Sequence, residues 1–333
     1  MSARTQHHPC VAIGLCAVLT AAAVTALPSA AAAQLVSGLQ GASGSTVGPD
    51  GAIYVTEGAV GRVTRVDRAS GATSTVASGL PPSVVGIGGA VDVAFVGETA
   101  YVLVTLVGDP LFGGTAVDGI YRIDGPSSYT IIADLGAWSE AHPPSGFDYF
   151  LVNGVQYAIE RFRGGFLVTD GHHNRVLQVS LDGEISEFAT FGNVVPTGLE
   201  VHGNTVYVAE TGPTPHLPGD GTVIAVSAKS RATVAVGSGA PMLVDVERGR
   251  GRSLYALAQG TWDGVAAGSP AQPFTGSLVE VNADGTFTVI ASALDRPTSF
   301  EIIDNTAYVV SLAGDLWVIP NLSEPPFGKS GSH

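Results

Sequence analysis

The chain has 333 residues, 45% hydrophobic and only 13% charged, with 44 glycines and 20 prolines, a profile that suits short strands and tight turns and argues against long helices. A formal net charge of −14 at pH 7 repels nucleic acid and anionic membrane surfaces, so neither is expected as a partner. Both cysteines, Cys10 and Cys16, fall in the leader described next, which leaves the rest of the chain without a disulfide or a thiolate metal site.

Residues 1–33 read as a secretory signal peptide. Arg4 stands with His7 and His8, an apolar stretch runs from Val11 to Ala26, and Ala31-Ala32-Ala33 forms a small-residue cleavage site before Gln34. The apolar run is shorter than the ~20 residues that span a bilayer. Export is expected, to the exterior or the periplasm, with no membrane span left after cleavage. Leu15 stands before Cys16 where a lipoprotein signal needs a small residue. Arg4 is the segment's only charged side chain, so its loss takes the net charge to about −15.

After the leader a phrase repeats. Ile53-Tyr54-Val55-Thr56-Glu57 returns as Tyr101-Val102, Leu167-Val168-Thr169-Asp170, Tyr207-Val208-Ala209-Glu210, Tyr255-Ala256 and Tyr308-Val309, at spacings of 47, 66, 40, 48 and 53 residues. Periods of this size mark solenoids and propellers. Each unit parses into four short strands, A (innermost) to D. In the fourth unit, A is Gly198 to Val201, B Val206 to Ala209, C Val223 to Ser227 and D Thr233 to Val236. Hairpin chemistry fills the turns: His202-Gly203-Asn204, Gly48-Pro49-Asp50-Gly51, Asp182-Gly183 and Asp284-Gly285. The sixth unit lacks strand D. After strand C the chain enters Glu324-Pro325-Pro326 and a Gly/Ser tail.

Gln34-Leu35-Val36-Ser37-Gly38-Leu39 matches the D strands Thr75 to Leu80 and Val289 to Leu294, so it can complete the last blade. The sequence therefore predicts an all-β fold, a six-bladed β-propeller over residues 34–321 closed by the N-terminal strand of the mature chain, followed by a disordered tail at 322–333. A ring without an open edge is expected to be a monomer. Connections A to B and C to D are short throughout, whereas extra length collects in Val107 to Gly119, Asp134 to Gln156, Glu210 to Gly221 and Ala258 to Gly276. These loops emerge on one face, where a binding site is expected.

Val168-Thr169-Asp170 followed by Asn174-Arg175-Val176 resembles the NHL-type blade signature. A longer likeness runs through "LVSGL" at the start, "GPDGAIYVTEG" at 48–58, "VDVAF" at 91–95, "FLVTDGHHNRVLQV" at 166–179 and "VPTGLEV" at 195–201. In this order the motifs resemble the ScyD/ScyE family of secreted six-bladed propellers. That resemblance implies export and a propeller, and it carries no established reaction. The stretch Asp148 to Gln156 departs from the family's Asn-Pro-Tyr pattern, as does the turn Arg248-Gly249-Arg250-Gly251 in blade 5.

Four groups of side chains are candidates for function. Glu57, Asp170 and Glu210 share one repeat position at the end of strand B. Three carboxylates on one rim could hold Ca²⁺ or another divalent cation through oxygen, or each could tie its own turn, with Arg175 as Asp170's local partner. Glu160, Glu200 and Glu301 sit seven residues before the repeat anchor and Glu247 eight before, on strands that line the channel, where they could form an acidic funnel or simply reflect shared ancestry. His142, Asp148, Tyr149, His172, His173 and His216 belong to loops; histidine shuttles protons and binds metals, although adjacent histidines on a turn are commonly just exposed. Trp138, Tyr149 and Trp262 could stack on a sugar or an aromatic molecule, or cap the space between loops.

No Gly-x-Ser-x-Gly elbow, phosphate loop or HExxH motif is present. The first functional expectation is an exported propeller whose long-loop face binds a small molecule, glycan or protein. The alternative is a metal-assisted hydrolase or lactonase resembling the gluconolactonase and senescence marker protein propellers, whose site combines a Glu with Asn and Asp ligands; Asn174 and Asn193 are the available amides.

Overall fold

The computed structural model describes residues 32–266 and 268–323. Among the described residues six four-stranded antiparallel sheets carry 24 strands, and their innermost strands pack against one another in a closed cycle. The six-bladed propeller expected from the repeat is the fold. Strand A of blades 1 to 6 is Ala42–Val47, Gly89–Val96, Gln156–Phe162, Pro196–His202, Leu243–Arg248 and Pro297–Ile303. In the sixth sheet Ala33–Val36 pairs antiparallel with Leu316–Pro320, with Ala33 opposite Val318 and Val36 opposite Leu316. Most of the leader lies outside the described residues. At the other end Leu322 is buried and Ser323 bonds Asn305 twice through its backbone N–H and hydroxyl, so the packed chain runs through residue 323. The remainder of the expected tail lies outside the described residues.

The strand B phrase is apolar because every sheet is covered on both sides. Ile53–Glu57, Gly165–Asp170 and Leu254–Ala258 are buried at every residue. Six hydrophobic clusters result, one between each pair of adjacent blades. Tyr54 and Val63 meet Val102 and Tyr121 between blades 1 and 2, and Val36 and Leu39 meet Ile53 and Val55 where blade 6 closes on blade 1.

Each strand A carries a register shift near its start, between Ala42 and Ser45, Ala90 and Asp92, Gln156 and Ile159, Pro196 and Leu199, Leu243 and Asp245, and Pro297 and Ser299. A bulge turns the local side chains and sharpens the twist. Repeated six times at the long-loop end of the innermost strands, it builds the mouth of the channel. The extra length gathers on that face as expected, and the stretch after blade 2 includes the helix Leu135–Ala141, N-capped by Asp134, which accepts from Ala137 N–H.

Candidate functional site

The bulged ends of strand A and the long loops form a funnel with a cavity of about 180 Å³, open toward solvent on the long-loop face. Its wall carries Tyr157, His172 and His216 among apolar side chains such as Ile87, Val91, Leu106 and Met242, with Asp92 and Asp245 deeper in. Tyr157 OH and His172 Nε2 are 3.0 Å apart. Tyr157 packs against the buried cluster of Leu106, Leu151 and Val155, which holds its ring. Burial, together with the nearby His216, pushes the His172 imidazole down to about 4 despite the opposing pull of Asp170, so it is neutral at pH 7. His216 is buried and is also shifted below its ordinary value by burial, against a hydrogen bond to Gly212 and the charge of Asp220.

Asp92 and Asp245 belong to blades 2 and 5, opposite each other in a ring of six. Each carboxylate accepts the N–H of its own following residue and the N–H of the next blade: Asp92 from Val93 and Ile159, Asp245 from Val246 and Phe300. Gly44 and Gly198 stand beside them because a Cβ at either position would overlap Asp92 or Asp245. At this strand position the blades read Gly44, Asp92, Ala158, then Gly198, Asp245, Ser299, a pattern that repeats every three blades. Burial raises Asp92 well above the carboxylate range, with the Asp245 charge adding to it, and raises Asp245 to about 7.

Two residues further along strand A lie Glu160, Glu200, Glu247 and Glu301. The structure brings this expected set together, since each feels the charge of others across the channel. Burial is the main cause and the neighbouring carboxylates add to it for three of them: Glu160 rises to about 8 and Glu247 and Glu301 rise further. Glu200 rises to about 7 through burial, moderated by Arg248. The ring lies two residues beyond Asp92 and Asp245 on the innermost strands.

Glu57, Asp170 and Glu210 do not converge. Among the described residues no three His, Cys, Asp or Glu side chains are grouped to hold a metal ion. Glu57 is fully buried and accepts from Arg62 Nε at 2.8 Å and Nη2 at 2.7 Å, from Gln40 N–H at 2.7 Å and from the Thr64 hydroxyl. Burial would raise its carboxyl, but these donors hold it below its ordinary value. Asp170 Oδ2 accepts from Arg175 Nε at 2.8 Å and from Ser139, with His173 Nδ1 3.2 Å away, while Oδ1 accepts from Gln156. Glu210 follows a different course. A ten-residue loop replaces the short corner, no arginine stands opposite, and burial alone lifts its carboxyl to about 7.

The loop candidates separate. His172 faces the funnel, but His173 is buried in the wall, with Nδ1 toward Asp170 and Nε2 toward Leu151 O, so the adjacent pair is not simply exposed. His142 stacks on Trp138 at 4.2 Å outside the funnel, and Trp138 also lies under the Arg175 guanidinium. Asp148 is exposed, and Tyr149 packs edge-on against His173. Trp262 packs edge-on against His216 and donates its Nε1–H to Ser269. Asn174 is consumed by the backbone N–H groups of Val194 and Val195, and Asn193 is exposed. Tyr157, Asp92 and Asp245 were not anticipated. The repeated triplet Val91-Asp92-Val93 and Val244-Asp245-Val246, at equivalent strands, is the signal that marks the two aspartates.

Fold and funnel together define a six-bladed propeller with a central cavity on its long-loop face. No protein-family model matches the chain and no curated protein matches its sequence. Solved structures do. Virginiamycin B lyase from Staphylococcus aureus aligns with a TM-score of 0.55 and 12% identity over 87% of this chain and 98% of that one. A gluconolactonase from Xanthomonas campestris gives 0.60 at 12% over 87% and 89%, and a PQQ-bound aldose sugar dehydrogenase from Streptomyces coelicolor gives 0.57 at 12% over 88% and 98%. Likeness at this identity establishes the propeller fold.

Proposed function

We propose that this protein binds a small organic molecule in the funnel on its long-loop face, as an exported propeller of the ScyD/ScyE type. The observation that carries the proposal is the funnel itself: a deep, largely apolar cavity with a few fixed polar groups, the usual form of a small-molecule site. Both funnel imidazoles are neutral at pH 7 and the carboxylates deeper in favour neutral or weakly basic ligands over anions. Proteins of similar fold include a virginiamycin B lyase, a gluconolactonase and a PQQ-bound aldose sugar dehydrogenase, in keeping with this reading. A metal-assisted hydrolase is less well supported, because Glu57 and Asp170 are each taken up by an arginine of their own blade and neither is grouped with Glu210.

The test is a ligand-observed NMR screen of neutral small molecules against the protein and its Ile87→Trp variant. Ile87 is 40% exposed and lines the funnel, so an indole there fills the mouth without disturbing a core. Hits lost in the variant support the reading; hits unchanged by it place binding elsewhere.

A further inference from the structure

His216 has a different environment from the other histidines. Its Nδ1 lies 3.0 Å from the Gly212 carbonyl oxygen and 3.4 Å from the Thr211 hydroxyl. A carbonyl only accepts, so Nδ1 carries the proton and Nε2 carries the lone pair. Nε2 makes no hydrogen bond within the described residues and is not shut off from solvent. Trp262 packs edge-on against the ring at 5.7 Å and is itself held by Ser269, so the imidazole is locked in both tautomer and orientation. His172, by contrast, has its Nε2 engaged by Tyr157, and His173 uses both nitrogens on the protein.

We propose that the funnel is a proton-transfer site, with His216 Nε2 as the base that removes a proton from a bound carbon acid, a neutral molecule whose C–H bond is activated by an adjacent electron-accepting group. The C–H bond breaks, the proton passes to Nε2, and the electron pair moves onto the substrate's acceptor atom. This rests on the binding reading above and names what the same cavity does with its ligand. The groups bearing on His216 are consistent with a base. Burial lowers both His172 and His216, which are neutral at pH 7, the Asp220 charge draws the His216 value back up, and Asp92 and Asp245 line the same funnel. Burial disfavours the imidazolium, so the imidazole keeps its lone pair free of a proton at pH 7, the form a general base needs.

A nitrobenzisoxazole is the probe, because its ring opening needs only a base in an apolar cavity. The base takes the ring C–H proton, the electron pair forms the nitrile, the N–O bond breaks, and the coloured cyano-nitrophenolate carries the negative charge. The expected result is a saturable rate above that of free imidazole, reduced about 100-fold by His216→Gln. On the unaltered protein the rate should rise with pH to a plateau, with its midpoint below the ordinary histidine value of 6.5. A rate no greater than free imidazole, a rate equal in the variant, or a rate proportional to hydroxide through pH 9 overturns the proposal. Without turnover the proton-transfer proposal falls whether or not the His216 ring signal in NMR shifts with probe, while the binding reading stands or falls on the Ile87→Trp screen above. The pH profile needs no variant, so a poorly folding His216→Gln does not spare the proposal.

Discussion

Substituting Glu57, Asp170 and Glu210 one at a time distinguishes a shared cation site from three separate local roles. Asp170→Asn removes the charge opposite Arg175, whose side chain is only 1% exposed, and Glu187, half exposed and 3.3 Å away, offsets part of the loss. Breaking a buried pair costs about 3–5 kcal/mol. The lower end, about 3 kcal/mol, is expected here, or roughly 6 °C in Tm at about 2 °C per kcal/mol for a chain of this size. Glu57→Gln should cost about 1–2 kcal/mol, because Arg62 keeps 31% of its side chain exposed and can be rehydrated. Glu210→Gln should go the other way. An acid whose value rises from 4.5 to about 7 contributes stability below 4.5 and loses it as pH climbs through 7. Its replacement by Gln should therefore leave Tm unchanged near pH 4.5 and raise it at pH 8, by on the order of 2 kcal/mol. Thermal unfolding followed by circular dichroism at both pH values, with and without chelator, reads all three. Equal losses at the three positions, reproduced by chelator, would show that they act together on a cation and refute the separate roles.

The acidic ring makes the parent's Tm fall from pH 5 to pH 9, since its carboxyls are raised and their penalty grows as they ionise. Glu160→Gln should flatten that fall by at least about 1 kcal/mol at pH 9 and do little at pH 4.5, as a Tm-against-pH series would register. Removing residues 33–39 exposes the Leu316–Pro320 edge and loses buried Val36 and Leu39, about 3–6 kcal/mol in burial alone. Light scattering and Tm should report an aggregation-prone, destabilised ring; an intact Tm would mean the closing strand is dispensable.

Much of the fold was legible because a propeller repeats its strand B phrase and its turns. Tyr54, Tyr207 and Tyr308 mark equivalent positions, and Gln34 to Leu39 could be matched to other D strands by its own pattern. The acidic ring was legible for the same reason: Glu160, Glu200 and Glu301 keep a constant offset from the repeat anchor. At the rim, equal repeat position left a shared cation site and separate turn-tying roles both open. Glu57 and Asp170 look like partners of Glu210, but Arg62 and Arg175 exist in blades 1 and 3 and have no counterpart opposite Glu210. The funnel was the least legible part. His216 and Tyr157 reach it from different blades, and the bulges that build the mouth leave no composition signal in strand A. Asp92 and Asp245 repeat every third blade, a period hidden within a search for sixfold similarity. His172 and His173 are adjacent in sequence but face different surroundings, because the short turn at 171–173 sends one ring into the cavity and the other into the wall.

The central claim is that a small molecule occupies the funnel between Tyr157, His172 and His216. Backbone and side-chain NMR shifts measured on titrating the best hit from a neutral small-molecule screen test it most directly. The account predicts saturable shifts at Ser43, Ile87, Tyr157, His172, Thr211 and His216, with the trimmed-face turns unmoved. Shifts centred on those turns, or scattered without a funnel cluster, would contradict it.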